Sequence, residues 1–98
     1  MEKRTPHCKL SIVKALVRRG RVRTTQAARV GAVRLGLDYK GMIAVVLGLT
    51  MRDFHKSMTT LADHAVWQDV YRPRTDAGDV YVKLTVISDV LIVSFKEL

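Results

Sequence analysis

Apolar positions recur at helical spacing through the first half of the chain and at strand spacing through much of the second. Leu10, Val13, Leu16 and Val17 share one face of a 3.6-residue period, with Lys9, Lys14, Arg18 and Arg19 on the remaining surface. Thr5-Pro6 offers a start for that helix, because threonine can cap and proline at the first helical position gives up an amide that has no partner there. Gly20 ends it. A second helix, capped by Thr24 or Thr25, runs through Ala27, Ala28 and Val30 to about Leu35 and closes at Gly36, although Gly31 inside it costs about 1 kcal/mol against alanine. Asp38 caps a third over residues 41–47. Met42 to Leu47 is apolar enough for a buried strand, but the length and the closing Gly48 favour a helix.

Beyond this point the period changes. Thr50 with Asp53 resembles a capped short turn ahead of Phe54-His55-Lys56-Ser57-Met58, and residues 65–72, 80–87 and 90–96 read as strands. A helical half followed by a sheet half predicts an α+β domain with a largely antiparallel sheet. If Ser88-Asp89 is a two-residue turn, Val80, Val82, Leu84 and Val86 share a face with Leu91, Val93 and Phe95. Tyr81 then lies opposite Lys96, Lys83 opposite Ser94, Thr85 opposite Ile92 and Ile87 opposite Val90. A three-residue loop would break that register.

Ninety-eight residues make a single domain, 1–98, with 48% hydrophobic residues to build its core. The net charge of +8 is unevenly placed: residues 1–40 hold eleven basic and two acidic residues, and residues 41–98 hold six and seven. One side should be positive and suited to polyanions, or simply well solvated. The lone Cys8 excludes an intramolecular disulfide and a multi-thiolate zinc site, and fits a reducing cytoplasm. No apolar run approaches the ~18 to 20 residues of a membrane span, and no secretory signal is visible.

The polar face of the last strands carries the candidate chemistry. Gln68, in the segment Val66, Gln68, Val70, can share it with Tyr81, Lys83 and Lys96, although the loop from Pro73 to Gly78 leaves its register open. An amide, a phenol and two ammonium groups offer donors and positive charge to a phosphate without a metal. Such residues are also common on a solvent-facing sheet, so spacing alone does not make the surface a site.

Long strings of the chain narrow the choice. Met1-Glu2-Lys3-Arg4-Thr5-Pro6-His7, the run from Asp53 to Thr60, Asp63-His64, the run from Trp67 to Arg74 and the tail from Asp89 to Glu97 together resemble the motility quorum-sensing regulator (MqsR) toxins, nearly end to end. The resemblance implies a bacterial type II toxin with the RelE-like fold, N-terminal helices packed on a largely antiparallel sheet. It implies a metal-independent endoribonuclease that cuts mRNA at short GC-containing sites without the ribosome, and needs no cofactor. It also implies a cognate antitoxin with a zinc-binding region and a helix-turn-helix region, through which operator DNA is reached. The family's functional residues match at Lys56, Gln68, Tyr81 and Lys96. The chain departs at His55, where a tyrosine is expected, at Ser88, where a histidine can occur, and in its more basic stretch from Arg18 to Lys40.

Cleavage of this kind needs a base for the ribose 2′-hydroxyl, a partner for the phosphate charge and an acid for the leaving oxygen. Lysine (~10.4) and tyrosine (~10) reach that role near neutrality only if neighbouring cations lower their pKa. Lys56 or Tyr81 is assigned proton transfer, Lys96 the phosphate charge and Gln68 orientation. A two-histidine mechanism through His7, His55 or His64 is weaker: His7 falls in the first helical turn and His64 in a loop. Among the aromatics, Trp67 and Phe95 read as core and none is assigned to base readout. The rival classes are a non-catalytic basic nucleic-acid-binding module and an inactive toxin that only binds its antitoxin. Sheet edges and basic helices are both candidate antitoxin surfaces.

Overall fold

A computed structural model describes all 98 residues. Three helices, α1 (Leu10–Arg18), α2 (Gln26–Arg34) and α3 (Tyr39–Leu47), pack on one face of a seven-stranded, mostly antiparallel sheet. The strands are β1 (Glu2–Lys3), β2 (Val22–Thr24), β3 (Phe54–Thr59), β4 (Trp67–Tyr71), β5 (Arg74–Thr75), β6 (Gly78–Val86) and β7 (Val90–Glu97). Their order is β1-β3-β4-β6-β7-β2, with β5 closing a small hairpin on β6. The β2–β7 pair is parallel; the others are antiparallel. The α+β expectation is met in this form.

Local chemistry accounts for the helices. Thr25 and Asp38 cap α2 and α3 by accepting from the amides of Ala28 and Gly41, at 3.1 and 2.7 Å. Gly20 and Gly36, after α1 and α2, take positive φ of 76° and 79°. Residues 42–47 are helical, which rejects the buried-strand alternative. Thr50 and Asp53 form a capping box on a 3-10 turn, Met51–Asp53.

The first helix starts later than Thr5-Pro6 suggested. Glu2 and Lys3 pair with Met58 and Ser57 on β3, and the Asp69 carboxylate accepts from the His7 and Cys8 amides at 3.0 and 3.1 Å. Tertiary anchoring thus overrides the local start, and α1 begins at Leu10 without a side-chain cap. His7 is therefore not in a helical turn; its ring stacks on Trp67 at 5.6 Å. Trp67 also lies beneath the Lys3 ammonium, 4.2 Å from its ring centre.

The β6–β7 hairpin corrects the predicted register at one end only. Val86 pairs with Val90 and Thr85 with Leu91, so the turn holds three residues, Ile87, Ser88 and Asp89. Val93 then bulges between the Leu84–Ile92 and Lys83–Ser94 pairs, shifting the count back by one. Its carbonyl accepts from the Thr25 hydroxyl at 2.8 Å. Tyr81 consequently does face Lys96, but Thr85 does not face Ile92 and Ile87 does not face Val90. Val90 and Ile92 fill the core in place of Leu91 and Val93, joined by Phe95 as expected, beside Val80, Val82 and Leu84.

Gly31 also gains a reason. A Cβ there would lie 1.8 Å from the carbonyl oxygen of Phe95, so α2 rests directly on the β7 backbone.

Candidate active site

The sheet face away from the helices brings Lys56, Gln68, Tyr81 and Lys96 together. Partnered residues in a sheet point to the same side, so two pairings define the face: Lys56–Val70–Lys83–Ser94 across four strands, and Tyr81–Lys96. Met58 pairs with Gln68, and continuing the β4–β6 register sets Gln68 beside Thr85 and Arg72 beside Tyr81. Val70 is fully buried although it points to this open face, flanked by the aliphatic stems of Lys56 and Lys83.

Cations crowd the phenol. The Lys96 and Lys83 ammonium groups lie 5.2 and 5.9 Å from the Tyr81 ring centre. Lys56 donates to the Glu2 carboxylate on β1, the acid that meets a lysine on this face. That hydrogen bond, with the Lys56 charge behind it, holds the Glu2 carboxyl below the usual range. Lys83 sits below the usual lysine range because it is partly buried and because Lys96 and Lys56 repel its charge.

His55 occupies the irregularity between Phe54 and Lys56 on β3 and turns toward Arg72, whose Nη1 is 3.4 Å from its Nδ1. Burial, then the charges of Arg72, Lys56 and Arg4, lower its pKa and favour the neutral ring. Beyond it, Arg52, Arg72 and Arg74 line a cleft of about 300 Å³ with Asp53, Asp79 and Leu98. The open face itself is shallow. A wider depression, about 740 Å³, lies elsewhere, between β2 and α2 at Thr24, Arg29, Val30 and Val33, and holds none of these groups.

Other titratable residues have different surroundings. Tyr71 is fully buried against the edge of Phe54, and burial with the nearby Asp69 pushes its phenol well up. His64 is in an exposed loop, far in character from His7 on Trp67 and His55 on Arg72. No three side chains of His, Cys, Asp or Glu converge as a metal ligand set would. Sequence reasoning placed Lys83 on the polar face without giving it a task, and it missed Arg72 and the placement of His55. The missing signal was β3, whose residues His55, Lys56, Ser57 and Thr59 carry no apolar alternation.

The face can therefore receive a phosphodiester on two or three ammonium groups, orient it through an amide and offer a phenol for proton transfer. The basic helices α1 and α2 lie behind it.

Residues 5–97 match the family model described as motility quorum-sensing regulator, toxin of MqsA. The chain is also 64% identical over 97 residues to the mRNA interferase toxin MqsR of Escherichia coli (strain K12), covering 99% of both proteins. The chain carrying this lysine-rich open face belongs to the motility quorum-sensing regulator toxin family.

Proposed function

We propose that this protein is a toxin of a type II toxin–antitoxin pair, an mRNA endoribonuclease that works without a metal ion or the ribosome at short GC-containing sites. The observation that carries the reading is the convergence of Lys56, Gln68, Tyr81 and Lys96 on one open sheet face, in a chain so close to an mRNA interferase. The ribose 2′-oxygen attacks phosphorus, its proton passing to Tyr81 or Lys56. Lys96 neutralises charge on the phosphate, and Gln68 orients it. The products are a 2′,3′-cyclic phosphate and a free 5′-hydroxyl. Messenger loss then stops translation and growth.

The same reading places the fold among RelE-like toxins and the protein in the cytoplasm. No helix is long and apolar enough to cross a membrane. Its partner is an antitoxin related to MqsA, with a zinc-binding region and a helix-turn-helix region that brings the pair to operator DNA. Incubating purified protein with RNA in EDTA tests the catalytic claim. Discrete fragments ending in cyclic phosphate, lost in Lys96→Ala, support it; retarded but intact RNA would assign the surface to a non-catalytic binder.

A further inference from the structure

Lys83 stands at the centre of the open face. Val70 and Ser94 are its partners across β4 and β7, Tyr81 and Thr85 flank it two positions along β6, and Lys96 and Gln68 occupy the diagonals. Diagonal positions are ~7–8 Å apart, so one phosphate above Lys83 is within side-chain reach of Tyr81, Lys96 and Gln68 together. Its ammonium shares the Tyr81 ring with that of Lys96, at 5.9 and 5.2 Å. The charged and titratable groups around it are Lys56 on β3 with Glu2 on β1, Lys96 on β7, Tyr81 on its own strand, and Arg72 at the end of β4. The one carboxylate among them is engaged by Lys56, and Lys83 itself forms no ion pair. A partly buried ammonium without a counter-charge costs stability, and nothing in the packing requires it.

We propose that Lys83 is a further catalytic residue of RNA cleavage, touching the scissile phosphate and protonating the leaving 5′ oxygen. The inference rests on the ribonuclease reading of this face. As the 2′-oxygen bonds to phosphorus and its proton passes to Tyr81 or Lys56, the P–O5′ bond breaks. The released electron pair takes a proton from Lys83, which is left neutral and regains one from water. Burial and neighbouring cations that hold Lys83 below the usual lysine range make its ammonium the better acid.

The test compares two RNA oligonucleotides, one with the natural 5′-oxygen at the scissile bond and one with a bridging 5′-sulfur, whose thiolate leaves without protonation. Lys83→Met should slow cleavage of the oxygen substrate by ~10²–10⁴ and lose little on the sulfur substrate. Lys96→Ala should be slow on both. Lys83→Met should also unfold at a higher temperature at neutral pH, because it removes an unpaired charge, whereas a structural lysine would lower the midpoint. Lys83→Arg keeps the charge but holds its proton too tightly to act as an acid, and should repeat the sulfur rescue. Parental cleavage of the oxygen substrate by Lys83→Met, with Lys96→Ala inactive, would overturn the inference and leave the proposed function standing. Equal slowing on both substrates would overturn the proton-donor role. If the parent protein cleaves neither substrate, the ribonuclease reading fails, and Lys83's role with it.

Discussion

The helical side and the open face of the sheet use positive charge in opposite ways. Residues 1–40 hold eleven of the basic residues, but on α1 and α2 side chains such as Arg18, Arg29 and Arg34 spread over exposed surface. Arg21 between them is neutralised by Asp89 at 2.9 Å. The open face draws Lys56, Arg72, Lys83 and Lys96 from residues 41–98, where acids outnumber bases by seven to six. Several of those acids are held elsewhere: Asp53 accepts from the Thr50 amide, Asp63 from that of Ala65, and Asp69 from those of His7 and Cys8 on the helix side. A segment's net charge therefore says little about the field at a site. Alternation along strands sorts the ions, and local hydrogen bonds occupy the acids.

Five substitutions on the two sides, and one where they meet, can break or sharpen this contrast. The largest effect belongs to the open face: Lys96→Ala or Tyr81→Phe should cut the cleavage rate by ~10²–10³ while circular dichroism stays unchanged, since each removes a group acting on developing charge. A parental rate for either would remove that residue from the mechanism. Next comes the contact between the layers. Gly31→Ala sets a methyl against the Phe95 carbonyl and should cost about 3 kcal/mol in a denaturant titration, or prevent folding; a stability within experimental error of the parent would mean that α2 does not rest on β7.

Glu2→Gln should act more gently. It frees Lys56 from its counter-charge and makes the face more positive, raising kcat/KM up to about 5-fold; a lowered kcat/KM would instead make Glu2 part of the substrate site. His55 supplies a pH signature. Its pKa is depressed in the folded state, so the unfolded chain takes up the proton first as pH falls through the ordinary histidine value of 6.5, and stability is lost on the acid side. Thermal melts of His55→Gln should therefore fall less between pH 7.5 and 5 than those of the parent; parallel curves would show an unperturbed ring. The smallest effect is reserved for the helices. Arg29→Ala should leave both cleavage at low salt and the salt slope of RNA binding unchanged; a slope reduced by about 0.7, the share of one phosphate contact, would bring α2 into the RNA path.

The legible parts of the fold were those decided within a few residues. Caps at Thr25, Asp38 and the Thr50–Asp53 box bracket the helices, because each satisfies amides one turn away. Strand β3 was not legible: Lys56 points to the open face while Ser57 and Thr59 are buried on the opposite one, so polar residues stand on both sides and no apolar alternation marks the strand. The Tyr81–Lys96 pairing was reached from a two-residue turn that does not exist. The longer turn and the Val93 bulge each shift the register by one, in opposite senses, so the open end of the hairpin is unaffected. For the candidate site, Gln68, Tyr81 and Lys96 fell on one polar face by alternation, whereas Lys56 entered only through family resemblance.

Sequence alone determined the α+β order, the helix boundaries after Thr25 and the residue types able to handle a phosphodiester, since these depend on neighbours along the chain. Tertiary structure decided that Lys56 stands in line with Lys83, that Asp69 holds the N-terminal segment and that Gly31 must lack a side chain. Those outcomes depend on which strand lies beside which, and the backbone hydrogen bonds that order the strands are the same for every residue type except proline.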